Sequence, residues 1–232
     1  MASGVRAYVD QDQSAGKQGL QRSKARGLTD TGREGMKLVS GVGVNDAGYS
    51  VTRQDTVNGR RKTVWRCPYY VAWLNMLTRC YSKKFIATRR NYSDCEVSPE
   101  WLRFSVFRSW MARQDCRGNT LDKDILFPGN NIYSEETCCF VSALVNTFIT
   151  DSAAIRGEWP IGVYWNAERG KFQAQCQNPF TGKNEYLGRF GDSLDAHKAW
   201  ASRKLSLAVE LAGMQPERIA VALISRYQQA KP

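Results

Sequence analysis

Asp122 and Asp124 stand two positions apart in the stretch Asn119-Thr120-Leu121-Asp122-Lys123-Asp124-Ile125-Leu126. Positions two apart on a strand share a face, so the two carboxylates could jointly hold a cation. A plainer reading of the same spacing is an ion pair with nearby arginines. The single histidine, His197, lies far from them in sequence. Ser-His-Asp and Cys-His chemistry thereby lose their usual base, and a lone helical histidine is ordinarily incidental. The cysteines at positions 67, 80, 95, 116, 138, 139 and 176 form no Cys-x-x-Cys pair. Reduced thiols are expected and zinc is not, because adjacent Cys138 and Cys139 are too close to chelate one ion comfortably.

The second chemical signal is charge. The chain carries +11 over 232 residues, and residues 53–113 hold 13 Lys/Arg against 4 Asp/Glu, a net +9. Arg60-Arg61-Lys62, Lys83-Lys84 and Arg89-Arg90 are interleaved with Trp65, Tyr69, Tyr70, Trp73, Phe85 and Tyr92. Cations and aromatic rings in that mixture suit a polyanion whose phosphates are neutralised with counterion release. No apolar run approaches the roughly 18 residues a membrane span needs, and the N-terminus lacks the apolar centre of a secretory signal, so a cytoplasmic location is expected.

These groups need elements to place them. Residues 1–36 are Gly-, Ser- and Gln-rich and read as a flexible basic arm. The glycines of Val39–Gly48 lack a following Lys-Ser/Thr and read as a turn rather than a phosphate loop. A helix is expected from Pro68, with Tyr70, Trp73, Leu77 and Cys80 on one face and Arg79 near its end. A second is expected from Ser98-Pro99-Glu100, with Ser98 as cap and Trp101, Phe104, Phe107, Trp110 and Met111 buried. Next come a short strand at 119–126, a turn at Pro128-Gly129-Asn130-Asn131, a return strand at Ile132-Tyr133 and a helix opening at Ser134-Glu135-Glu136.

After a connector at 151–160 the pattern turns to strands at 161–165, 171–177 and 185–190. In the middle one Phe172, Ala174 and Cys176 alternate with three glutamines. Asp192 then caps a helix whose Ala196, Trp200, Leu207 and Leu211 cover the sheet, and a last helix starts at Pro216 with Ile219, Leu223 and Tyr227.

The segment from Gly162 to about Gly213 resembles the Apetala/ethylene-response-factor DNA-binding domain. The resemblance rests on Gly162-Val163-Tyr164-Trp165, Lys171-Phe172-Gln173-Ala174, Tyr186-Leu187-Gly188-Arg189-Phe190 and Ala196-His197-Lys198-Ala199-Trp200. It implies a three-stranded antiparallel sheet lying in the major groove of double-stranded DNA, braced by a helix. By position the base readers would be Tyr164, Asn166, Gln175, Gln177, Asn184 and Tyr186, with Lys171 and Arg189 on the backbone. Arginines typical of that family are replaced here by Gln, Asn and Tyr, which implies a shift from guanine toward adenine. Residues 157–212 are nearly neutral, with 7 Lys/Arg against 6 Asp/Glu, so Arg60, Arg61, Lys62, Arg79, Lys83, Lys84, Arg89 and Arg90 would supply backbone affinity.

Residues 41–146 resemble the HNH-type, homing-endonuclease-like proteins that tailed bacteriophages carry fused to such a module. Trp73-x-x-Met76-Leu77-x-Arg79-Cys80-Tyr81, Val97-Ser98-x-Glu100-Trp101, Leu121-Asp122-Lys123-Asp124-Ile125-Leu126, Gly129-Asn130-Asn131-x-Tyr133-Ser134 and Thr137-Cys138-x-Phe140-Val141 carry it. The fold class implied is α+β. A basic arm (1–36) precedes a basic domain with a degenerate ββα unit (37–150), a linker (151–160), the sheet-plus-helix module (161–213) and a C-terminal helix (214–232).

The HNH resemblance implies a catalytic set of Asp122, Lys123 and Asn131, with Mg²⁺ or Mn²⁺ held by Asp122 and Asp124. Lys123 stands where the general-base histidine belongs, and Thr137 at the expected helical metal position. The leading expectation is a DNA-binding protein with weak or no nuclease activity, in the cytoplasm of a phage-infected bacterium. The alternatives are an active metal-dependent nicking or homing endonuclease, and an inhibitor of an acidic host protein.

Overall fold

The computed structural model describes residues 37–150 and 158–228; the expected arm at 1–36, most of the linker at 151–160 and the last four residues lie outside them. The fold is α+β. Its first core is aromatic. Pro68 starts α1 (Pro68–Tyr81), which buries Trp73, Met76, Leu77 and Cys80 against α3 (Phe104–Met111). Here α2 is the short Lys83–Thr88. Trp73 Nε1 donates to the Trp101 carbonyl at 2.7 Å, which satisfies the one polar atom of a fully buried ring. The glycine-rich turn at 39–48 packs on this helix, and a Cβ on Gly43 would sit 2.4 Å from Leu77 Cδ1.

The helix expected from Ser98 is broken in two. Pro99–Leu102 forms one 3₁₀ turn, Arg103 takes an extended conformation (φ −95°, ψ 124°), and α3 starts at Phe104. Ser98 makes no side-chain cap. Instead Asp46 accepts from the Ser105 amide at 2.8 Å and its hydroxyl at 2.7 Å, and pairs with Arg103 at 3.0 Å. A carboxylate from 59 residues upstream thus supplies the stabilising negative charge at this helix N-terminus.

Four short strands follow a pairing that local sequence does not reveal. Strand β4 (Thr120–Asp122) pairs antiparallel with β6 (Cys139–Val141), while β3 (Glu96–Val97) pairs in parallel with β5 (Ile132–Tyr133). Ile132-Tyr133 is therefore not the return strand of β4. Nor does a helix open at Ser134. Thr137 Oγ1 donates to the Ile132 carbonyl at 2.7 Å and accepts from the Ser134 amide at 3.2 Å, closing a turn. The apolar run after it enters β6, and α4 (Ala143–Ile149) begins later, capped by Ser142 Oγ on the Val145 amide at 3.2 Å.

The C-terminal region follows its sequence pattern closely. Strands β7 (Val163–Asn166), β8 (Lys171–Gln177) and β9 (Asn184–Phe190) form an antiparallel sheet in that order. The first strand starts later than expected because Gly162 sits at φ +81°. Asp192 caps α5 (Ser193–Ala212) by accepting from the Leu194 and Asp195 amides at 2.7 and 3.2 Å. Helix α6 (Glu217–Gln228) buries Ile219 and Leu223.

A second core joins Ile125, Cys139, Val141, Val145 and Phe148 to Trp200, Leu207, Leu211 and Leu223. Lys204 is embedded in it. Its ammonium lies 3.5 Å from the Phe148 ring centroid and donates to the Phe148 carbonyl at 2.8 Å, and burial pushes its pKa down to about 8.

One element has no counterpart in the sequence reading. Residues 52–66 form a two-stranded ribbon of β1 (Thr52–Val57) and β2 (Arg60–Arg66), joined at Asn58-Gly59 with φ +53° and +70°. That is the Asn-Gly two-residue hairpin turn, in which both central residues need positive φ. Every residue from Arg53 to Arg66 is exposed.

Candidate nucleic-acid interface and polar cleft

The strands place nine polar side chains together. Direct cross-strand partners share a face. Pairing Tyr164 with Gln173, Gln173 with Arg189, Asn166 with Lys171, Gln175 with Tyr186, and Gln177 with Asn184 puts all of these on one side of the sheet. Ala174 and Cys176 occupy the other side, buried under α5. A bulge between Ala174 and Gln175 keeps both halves of β9 in phase with that division.

The face is partly preorganised. Tyr164 donates its hydroxyl proton to Gln173 Oε1 and accepts from Gln175 Nε2 at 2.8 Å. Gln173 is buried, so one of the three glutamines orients a tyrosine rather than facing solvent. Tyr186 is 58% exposed, and the Arg189 guanidinium lies 5.9 Å from its ring centroid. On the opposite side Glu185 binds Arg203 of α5 and accepts from Asn178, which holds its carboxyl down at about 2. His197 Nδ1 contacts the Ile161 carbonyl at 2.9 Å, and the ring stacks on Trp200; it is structural.

The second site is a polar cleft of about 260 Å³ where β4, the 123–131 loop, α1 and α4 meet. Asp122, Lys123, Asp124, Asn131, Arg79 and Asn146 line it. Asp122 ends its strand, and its Oδ1 accepts from the amides of Asp124 and Ile125 at 3.0 and 2.7 Å. Burial pushes its carboxyl pKa up, and the Asp124 charge adds to this. Because the chain bends after Asp122, Asp124 is no longer on the strand whose spacing would align the two carboxylates.

Lys123 is 8% exposed. Its ammonium donates to the Asn130 carbonyl at 2.6 Å and to Asp124 Oδ2 at 3.2 Å, so the ion-pair partner of Asp124 is this lysine and not an arginine. Asn130 is spent on the loop, donating to the Lys123 and Ile132 carbonyls at 2.7 Å each. Asn131 is exposed, and its carbonyl accepts from the Glu96 amide at 2.9 Å. Arg79 is hydrogen-bonded to Tyr133 and lies near Tyr92 and Asp122.

Thr137, expected on a helix, is on a turn and bonded to backbone. Asn146 of α4 also lines the cleft, and sequence reading missed it because the helix was expected to open at Ser134 whereas α4 begins at Ala143. Among the described residues no group of three or more His, Cys, Asp and Glu could hold a metal ion. Asp122 and Asn146 both line this cleft.

The remaining cations lie on other elements. Arg60, Arg61 and Lys62 are on the ribbon, Lys83 and Lys84 open α2, and Arg89-Arg90 directly precede the cleft residues Asn91 and Tyr92. No protein-family model, curated protein or solved structure matches this chain.

Proposed function

We propose that this is a double-stranded-DNA-binding protein of the bacteriophage HNH type, acting in an infected cell, with nuclease chemistry weak or lost. The observation that carries the reading is the shared face of Tyr164, Asn166, Gln175, Gln177, Asn184 and Tyr186, flanked by Lys171 and Arg189 and left uncovered by α5. Glutamine and asparagine can make paired hydrogen bonds to adenine, while a sheet of two or three strands fits a groove that single side chains would only probe. The basic residues at 60–62, 79, 83–84 and 89–90 supply affinity that does not depend on sequence.

In the cleft, Arg79 is placed to hold a backbone phosphate beside Asp122. A Mg²⁺ or Mn²⁺ ion would be held by Asp122 and Asn146 and would stabilise charge on a leaving oxygen. Among the described residues that line the cleft there is no histidine to act as the base. Lys123 is tied to the Asn130 carbonyl and Asp124, which holds its side chain to the loop. Loss of general-base catalysis costs about 10²–10⁴ in rate. The convergence of Asp122, Asn146 and Arg79 favours a second reading, a slow nicking endonuclease.

Incubating the protein with supercoiled phage DNA and Mg²⁺ or Mn²⁺ separates the two, read as nicks and as retarded bands. Retardation without nicking is expected. Rapid nicking abolished in both Asp122→Ala and Asn146→Ala would establish the endonuclease instead, and absence of retardation at any salt would end the DNA-binding reading.

A further inference from the structure

The exposed ribbon of β1 and β2 is larger than a phosphate grip requires. Its register puts Asp55, Val57, Arg60 and Lys62 on one face and Gln54, Thr56, Arg61 and Thr63 on the other, with Val64 as the bulge residue. Five cations, Arg53, Arg60, Arg61, Lys62 and Arg66, stand against one acid, Asp55, and none of the five forms an ion pair among the described residues. No core covers either face. An isolated two-stranded hairpin is marginal in water, and like charges on it add repulsion. The charge distribution is therefore complementary to a polyanion that meets both faces at once.

We propose that this ribbon enters the major groove of double-stranded DNA, making a second DNA-reading element separate from the C-terminal sheet. The inference rests on the DNA-binding reading above. A β-layer with side chains on both faces is about 10 Å thick. That fits the roughly 12 Å major groove and not the roughly 6 Å minor groove. A groove has phosphates along both walls, and a ribbon entering tip first presents Arg60 and Lys62 to one wall and Arg61 to the other. The deep, narrow major groove of A-form RNA excludes the same ribbon.

The test compares one duplex sequence in two forms, plain and with glucosylated hydroxymethylcytosines that fill the major groove, by electrophoretic retardation. The quantity read is the ratio of the two dissociation constants. Glucosylation is expected to weaken the full-length protein about 100-fold, summed over ribbon and sheet. Arg60→Ala/Lys62→Ala and, separately, Arg61→Ala/Arg66→Ala should each lower that ratio about tenfold, because a ribbon already displaced has less to lose. Gln175→Ala/Gln177→Ala should leave the ribbon's share in place. All these side chains are exposed or lie on the uncovered sheet face, and unchanged thermal melts confirm folding.

A ratio that stays at the wild-type value in either ribbon variant overturns the inference while leaving DNA binding intact. So does a wild-type ratio near one, or equal affinity for a duplex RNA of the same sequence. Failure of the full-length protein to retard either duplex removes the DNA-binding reading itself.

Discussion

Replacing Lys123 by methionine distinguishes a strut from a latent base. Methionine keeps the length and apolar stem of lysine but offers no donor. The change deletes the 2.6 Å bond to the Asn130 carbonyl and the 3.2 Å bond to Asp124. Asp124 has a side chain 42% exposed and can rehydrate, so its share is small. The Asn130 bond is charge-assisted, and removing such a donor costs about 1.5–3 kcal/mol. Lys123→Met should therefore lower stability by about 2 kcal/mol in urea unfolding at neutral pH, with an unchanged slope. Asp124→Asn should lose under about 1 kcal/mol. A Lys123→Met protein as stable as wild type would refute the strut, and the lysine would again be free to serve chemistry in the cleft.

Gly162 sits at φ +81° with a built Cβ only 2.0 Å from Trp200 Cδ1, so Gly162→Ala combines backbone strain with overpacking and should cost about 3 kcal/mol or more, measured by thermal melting. The Glu185 carboxyl is held at about 2 against an ordinary 4.5 by Arg203 and Asn178. A depressed folded-state value gives stability that is present above pH 4.5 and lost as pH falls toward 2; Arg203→Ala should flatten urea midpoints across that window, and an unchanged acid limb would contradict it. Arg60→Ala/Arg61→Ala/Lys62→Ala should reduce the slope of log affinity against log salt by about 2–3, and a slope unaltered in titrations would remove these residues from the phosphate contacts.

The C-terminal module was legible because its cues are local. Strict alternation in 171–177 fixed a strand, and Asp192 fixed a helix start, so both boundaries match. The aromatic spacing of 101–111 likewise identified buried residues, although the cap that splits this helix comes from Asp46 and could not be read nearby. The ribbon escaped notice because it has no buried face and hence no alternation of apolar residues. Asn58-Gly59 was its only signal, one that the sequence reading passed over. In the cleft, acidic Glu135-Glu136 imitated a helix N-terminus while Thr137 folded the segment into a turn. That single displacement hid Asn146. The pairing of β3 with β5 and β4 with β6 joins segments far apart in sequence and leaves no local trace.

The second core carries a consequence for how such chains can evolve. Val141, Val145 and Phe148 share one apolar interior with Trp200, Leu207 and Leu223, and Lys204 is wedged between them. Modules strung on a tether can be exchanged by recombination because each buries its own interior. Here a foreign sheet module would arrive with a mismatched half of the interior, leaving cavities beside Phe148 and its carbonyl without the Lys204 donor. New target preferences are therefore reached more readily by substitution on the open sheet face, where Gln175, Gln177 and Tyr186 change without touching the interior, than by trading the module whole.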